Sequence, residues 1–245
     1  MFQSLHVKLL AECYRLRRKK SARQRSFPLT PQQILSDINQ EELEAIRSQH
    51  VIPNPGIRIE KYLEMDKWLG INVRRIFNLG LDFEPKRRIL DLGCGAGYFL
   101  HISKRLGHDV LGLDIPEPAW YGDITRLLGV SRVIQRIERC TALPDLGEPF
   151  DLVTGFMVCF NDHIAETPWG IAEWRFFLDD LWTRLRPGAV VWFELNPGRD
   201  GTHYTPELKS FFEERGAIVD RNRLVWGMET SRYLALKRLA SKMEA

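Results

Sequence analysis

The residue types best suited to chemistry sit in one stretch, Ile89-Leu90-Asp91-Leu92-Gly93-Cys94-Gly95-Ala96-Gly97-Tyr98-Phe99. An apolar run enters a turn with three glycines, and a second apolar run leaves it. Glycine adopts torsions closed to other residues and lets a ligand approach bare amides. At the carboxyl end of a strand in an open α/β sheet, such a turn makes a ligand crevice. Asp91 adds a carboxylate beside it, which suits a cationic amino-acid moiety better than a pyrophosphate. A dinucleotide fingerprint would carry its third glycine where Tyr98 stands, and a P-loop would need Lys and Ser/Thr after its last glycine. A second carboxylate, Asp114, closes the run Val110-Leu111-Gly112-Leu113. Asn161-Asp162-His163 follows the run Phe150–Phe156, and Glu194 ends a further run. His163 titrates near neutrality and so suits a general base, with Asp162 or Glu194 to orient it. Glu194 is the alternative base.

The elements that must position these groups follow from the hydrophobic pattern. After Pro85 short apolar runs alternate with helical segments. Strands are expected at Arg88–Leu92, Asp109–Asp114, Val133–Ile137, Phe150–Phe156 and Ala189–Glu194. Helices are expected near Tyr98–Leu106, Ile124–Leu128, Ile171–Leu185 and Pro206–Glu214. Such alternation implies right-handed βαβ units and a mainly parallel sheet with helices on both faces. Ala217–Asp220 and Tyr233–Lys237 are expected to add an antiparallel pair. The fold class is therefore α/β, Rossmann-like, with seven strands, over residues 81–245.

Residues 1–80 read as a helical extension or cap. Leu5, Leu9, Cys13 and Leu16 share a stripe, so residues 3–20 are expected to form a basic amphipathic helix. Thr30-Pro31 reads as an N-cap followed by proline in the first turn. A further helical pattern runs from Arg58 to about Leu79. Residues 1–30 hold eight Lys/Arg against Glu12 alone, a net +7, whereas the rest holds 27 basic and 31 acidic residues. Basic character thus belongs to the tail, which argues against a broad nucleic-acid groove on the domain. The tail is expected to contact a partner protein or an anionic membrane rather than the domain behind it.

The glycine stretch closely resembles motif I of the class I methyltransferases that use S-adenosylmethionine (SAM). The resemblance extends from about Lys86 to Lys237, including Phe150-Asp151-Leu152-Val153 and Leu185-Arg186-Pro187-Gly188. It implies SAM as cofactor, with a lid before the first strand from which Arg58, Lys61 or Tyr62 could reach the SAM carboxylate. Asp91, Gly93, Cys94, Gly95 and Gly97 would then surround its methionine end, and Asp114, with Ile115 beside it, would hold the ribose. Backbone at Gly155 and Phe156 would lie near the sulfonium. An acidic residue commonly ends the third strand beside the adenine. Glu138 is the acidic side chain nearest that place, although the expected position falls on Arg139 or Cys140.

The resemblance implies a methyltransferase acting on a small hydroxylated acceptor, a sugar or glycan precursor being the reading favoured by similar bacterial proteins found with polysaccharide genes. The alternatives are a SAM-binding module without catalysis and an RNA methyltransferase using the basic arm. A nicotinamide oxidoreductase is disfavoured by Tyr98. Asn196-Pro197-Gly198 follows the fifth strand and lacks the second proline and the aromatic of the amino-methyltransferase motif. Cys13, Cys94, Cys140 and Cys159 are widely spaced, without zinc-ligand or disulfide patterning, so no metal is expected. The charged, non-secretory N-terminus points to the cytoplasm, with peripheral membrane contact as an option.

Overall fold

The computed structural model describes residues 2–50, 63–157 and 168–241. Five strands run parallel: β1 (Arg88–Leu92), β2 (Asp109–Asp114), β3 (Arg132–Ile134), β4 (Phe150–Phe156) and β5 (Leu185–Glu194). Two short strands, β6 (Ile218–Asp220) and β7 (Arg223–Trp226), complete the sheet, β7 running antiparallel to both neighbours. The order is β3-β2-β1-β4-β5-β7-β6. Chain direction across the sheet therefore switches between β1 and β4, the point at which open α/β sheets form a ligand crevice. Strands β1 and β4 are almost continuously buried, as expected of parallel strands covered on both faces.

Four helices precede the sheet: α1 (Phe2–Gln24), α2 (Pro31–Ser36), α3 (Gln40–His50) and α4 (Met65–Leu79). Five more accompany the strands: α5 (Tyr98–Arg105), α6 (Trp120–Leu127), α7 (Ile171–Trp182), α8 (Pro206–Glu214) and α9 (Thr230–Ser241). One core cluster joins α1–α6 and α9 to one face of the sheet, through residues such as Tyr14, Ile34, Leu69, Ile89, Leu100 and Leu236. The other face packs Trp174, Phe177 and Phe212 of α7 and α8 against Leu90, Val153 and Phe193. The helices before the sheet thus share its core. No helix among the described residues is long and apolar enough to cross a membrane.

The structure corrects several expectations. Tyr233–Lys237 is helical, inside α9, and the strand that pairs with Ile218–Asp220 is Arg223–Trp226. Tyr233, Leu236 and Leu239 are buried at three-residue spacing, which is a helix face rather than alternation. Gly227 follows β7 with φ +72°, and a Cβ there would lie 2.0 Å from the Ala189 carbonyl oxygen. Only glycine admits that approach of β7's end to β5. β3 stops at Ile134, β5 begins at Leu185, and α7 ends at Trp182. The Thr30 side chain does accept from the Gln33 amide, with Pro31 in the first turn.

The docking of α1 on the domain is also a correction, since the tail was expected to contact a partner or a membrane rather than the domain behind it. Val7, Leu10, Ala11, Tyr14 and Arg18 pack inward, and α1 lies along α9. Arg18 Nε is 2.6 Å from Asp82 Oδ2, its Nη2 donates to the Phe77 carbonyl at 2.8 Å, and its guanidinium lies 4.6 Å from the Phe77 ring centre. Burial raises the Asp82 carboxyl's pKa against the pull of Arg18 and Arg25. The leucine stripe expected from the sequence faces outward.

Candidate functional site

The loop from Gly93 to Gly97 leaves β1 and turns back across β2. Gly93 donates to the Leu113 carbonyl at 2.7 Å, and the Gly95 amide donates to Asp114 Oδ2. Gly97, at φ +76°, is the left-handed residue from which α5 starts, and a Cβ there would come within 3.0 Å of Thr125. A side chain would push the turn away from α6. Sequence and packing therefore agree on a tight loop whose amides stay at the carboxyl end of β1.

Two adjoining cavities lie over this loop, sharing Gly93, Gly95, Tyr121 and Met157. The smaller, about 230 Å³, is bounded by Asp114, Ile115, Gln135, Arg136 and Ile137. The larger, about 480 Å³, is bounded by Trp68, Asn72, Arg75, Asp91, Phe156 and Asn196 among others. Together they form a trough across the ends of β2, β1 and β4.

Electrostatics differ along the trough. Asp114 is half-buried; its Oδ1 accepts from the Ile115 amide at 2.7 Å and its Oδ2 from Gly95. Burial raises its pKa, while those two amides and Arg132 oppose the rise. Asp91 is only 3% exposed and accepts from Thr154 Oγ1 at 2.7 Å. Burial pushes its carboxyl up to about 7, against Thr154 and Arg75 and with help from Asp114. A cation placed beside Asp91 would reverse that shift. The thiol of Cys94 is buried next to these carboxylates and is raised in turn.

Arg75 was not anticipated from the sequence. It reaches from α4, with its guanidinium 4.0 Å from the Phe156 ring centre and its Nη1 donating to Asn72 Oδ1 at 3.0 Å. Its Nη2 stands 3.4 Å from Glu194 Oε2. Burial lowers its pKa, with Glu194 and Asp91 opposing. The signal available in the sequence was Asn72, a polar residue on the face otherwise made of Leu69, Val73 and Ile76. A polar side chain on a buried stripe calls for a partner.

The end of β4 is held in an uncommon conformation. Met157 has φ +59°, and its amide donates to the Glu194 carbonyl at 2.8 Å. Asn196 Nδ2 donates to the Met157 carbonyl at 2.6 Å. A non-glycine residue at positive φ is costly and is retained where the surroundings fix it. Here the fixing groups come from the end of β5, and the residue borders both cavities.

The remaining expected residues divide clearly. Ile115 and Phe156 border the trough, whereas Gly155 is paired within the sheet, between Leu92 and Phe193. Glu138 is exposed, and the residues of its segment that border the trough are Gln135, Arg136 and Ile137. Glu194, expected as the alternative base, has its carboxylate between Arg75 and Arg223, the latter at 3.2 Å. The carboxylate thus joins α4 to β7 across the end of β5. Asp162 and His163 lie outside the described residues, as do Arg58, Lys61 and Tyr62. His203 and Tyr204 border a separate cavity of about 400 Å³, with Trp169, Trp174 and Leu195 in its walls. That cavity and the trough meet neighbouring residues, Leu195 and Asn196.

No protein-family model matches the chain. A ubiquinone biosynthesis O-methyltransferase of Sinorhizobium medicae is 33% identical over 105 residues, or 42% of this chain and 39% of that protein. A protein of the same description from Chelativorans sp. is 33% identical over 108 residues, 42% of this chain and 38% of its own length. The chain thus spans about two fifths of the length of these curated relatives. Among solved structures, a SAM-bound amino pentose methyltransferase from Micromonospora echinaspora is 27% identical, covering 56% of this chain and 50% of that one at a TM-score of 0.38. The antiparallel β7 inserted between β5 and β6 separates this sheet from the 3-2-1-4-5-6 order of dinucleotide-binding folds. The seven-stranded sheet has the fold expected of class I SAM-dependent methyltransferases, and the matched segment is similar to curated O-methyltransferases.

Proposed function

We propose that the protein transfers a methyl group from SAM to a hydroxyl of a small molecule, with the trough over β1, β2 and β4 holding the cofactor. The observation that carries this reading is the placement of two carboxylates around the glycine loop. Asp114 stands where a diol can be received, and Asp91 stands where an ammonium would restore its charge. The donor set fits the cofactor along its length. Ile115 and Ile137 offer apolar surface for the adenine, Asp114 accepts from the ribose hydroxyls, and Arg75 meets the carboxylate of the methionine end. The helices before residue 80 act as a cap, since α4 supplies Trp68, Asn72 and Arg75 to the wall.

SAM supplies an electrophilic methyl group on a good leaving group, so the protein's tasks are alignment and proton removal. Met157, fixed by Asn196 and the Glu194 carbonyl, sets the edge of the trough where methyl transfer takes place. The acceptor enters by way of the neighbouring cavity walled by Trp169, Trp174 and Tyr204. His163, in the segment after β4, takes the hydroxyl proton, and Asp162 orients it. Glu194 keeps Arg75 and Arg223 in place. The O-methyltransferase description of the curated relatives favours oxygen as the atom methylated. The finer proposal is a sugar or glycan hydroxyl.

Incubation with methyl-labelled SAM and a panel of sugar, phenol and amine acceptors tests this, with release of S-adenosylhomocysteine as readout. Label on a hydroxyl is expected. Binding of SAM with no transfer to any acceptor class would favour a binding module instead, and transfer to amines alone would overturn the choice of oxygen.

A further inference from the structure

Helix α1 has two apolar faces with different fates. One is spent on the protein itself, through Ala11, Tyr14 and Arg18. The other carries Leu5, Leu9 and Leu16, which are 56%, 63% and 56% exposed. At about 100° per residue these three fall within about 40° of one another, on the side opposite Tyr14, and span about 16 Å of helix. They make a line rather than a scatter of surface leucines. The docked face fixes its direction, because the ion pair of Arg18 with buried Asp82 and the packing of Tyr14 prevent α1 from rolling the leucines inward.

The border of this line is cationic. Lys8, Lys19, Lys20 and Arg23 are exposed, and none of them forms an ion pair among the described residues. The one acidic residue of the helix, Glu12, is bonded to Arg15. Beyond residue 30 the chain carries more acidic than basic residues. Positive charge is therefore concentrated on the same outward face as the leucines.

We propose that this outward face of α1 lies on an anionic lipid surface, with Leu5, Leu9 and Leu16 entering the headgroup boundary and the four cations meeting lipid phosphates. The composition favours lipid over a protein partner. Protein interfaces draw their energy from Trp, Tyr and Arg and are depleted in lysine, whereas interfacial helices combine aliphatic side chains with lysine and arginine. The acidic remainder of the protein is repelled by the same surface, so the helix also sets the orientation in which the domain rides.

Flotation of the full chain with phosphatidylcholine vesicles, with and without phosphatidylglycerol, tests the proposal. Binding is expected to the phosphatidylglycerol vesicles alone, and to weaken as salt is raised. Replacing Lys8, Lys19, Lys20 and Arg23 together by Gln should lower the partition coefficient by on the order of 10²–10³-fold. Replacing Leu5, Leu9 and Leu16 together by Gln should lower it by on the order of 10²-fold. Neither set touches the docked face, so both variants should melt with the parent protein. Absence of binding to phosphatidylglycerol vesicles at low salt would overturn the proposal, as would binding unchanged in both variants. Light scattering that shows a dimer dissolved by the leucine replacements would assign the face to a second copy of the chain instead.

Discussion

Removal of the Asp114 carboxylate is the perturbation whose effect the structure defines best. Its two oxygens are held by the Gly95 and Ile115 amides, which orients the remaining lone pairs into the smaller cavity. A ribose diol placed there makes two hydrogen bonds to an ionised acceptor. The pair together is worth about 1.5–3 kcal/mol net of the water displaced, or on the order of 10–150-fold in affinity. Asp114→Ala removes that pair and also releases the Gly95 amide from its anchor, so the loss should reach the upper part of the range. Asp114→Asn keeps one acceptor oxygen and should fall between Ala and the parent. Titration calorimetry with S-adenosylhomocysteine measures both, and thermal unfolding without ligand checks that the sheet is intact. NADH should show no measurable binding to any of the three proteins. An Asp114→Ala variant that melts normally and binds S-adenosylhomocysteine as the parent does would refute the assignment of the ribose site.

Three further outcomes are expected. Arg75→Leu should weaken S-adenosylhomocysteine binding by about 1–3 kcal/mol, with Arg75→Lys intermediate because it keeps the charge without the planar fork; equal affinity in all three proteins would place the ligand's carboxylate elsewhere. Asp91 has a folded-state pKa of about 7, raised above the unfolded carboxylate value of about 3.9. Its contribution to apo stability is therefore present below that unfolded value and lost as pH rises through about 7, so Asp91→Asn should flatten the fall in melting temperature between the two. Ionised Asp91 is the form that pairs with an ammonium, so cofactor affinity should rise over the same window, and an affinity independent of pH would count against that pairing. His163→Ala should lose on the order of 10²–10⁴-fold in turnover at saturating SAM with cofactor affinity retained; turnover within a factor of a few of the parent would remove His163 from the mechanism.

What could be read in advance was whatever depends on contacts close in sequence. β1, β2 and β4 were legible to the residue because each is an apolar run stopped by a turn or a charge. The glycine loop was legible because its torsions are encoded by Gly93, Gly95 and Gly97 themselves. The strand β7 was not: Arg223-Leu224-Val225-Trp226 is short, and its identity depends on β5 accepting it through the gap that Gly227 leaves. The helix α9 was misread because Tyr233 and Ala235 can be taken as alternation until Leu236 and Leu239 are counted with them. The docking of α1 on the domain was hidden for a related reason. Its sequence offers two stripes, and the cleaner one, Leu5-Leu9-Leu16, is the one left outside. The buried stripe contains Arg18, whose charge is tolerated only because Asp82, 64 residues away, answers it.

The polar wall of the trough was illegible for the same physical cause, which Glu194 makes plain. From sequence a carboxylate at the end of β5 qualifies as a base, since it stands at the carboxyl edge of the sheet. Whether it can accept a proton depends on what else is charged nearby. Arg75 lies 119 residues before it and Arg223 lies 29 after it, and the sheet brings both guanidinium groups to the one carboxylate. Each guanidinium takes one of its oxygens. This cluster of one carboxylate and two guanidinium groups holds Arg75 over the Phe156 ring. The same arrangement holds Arg75 on the wall of the trough that Asp91 also borders. Replacement of Glu194 by Gln should consequently act through cofactor binding, raising the dissociation constant while leaving the acid limb of the turnover profile at the histidine's position.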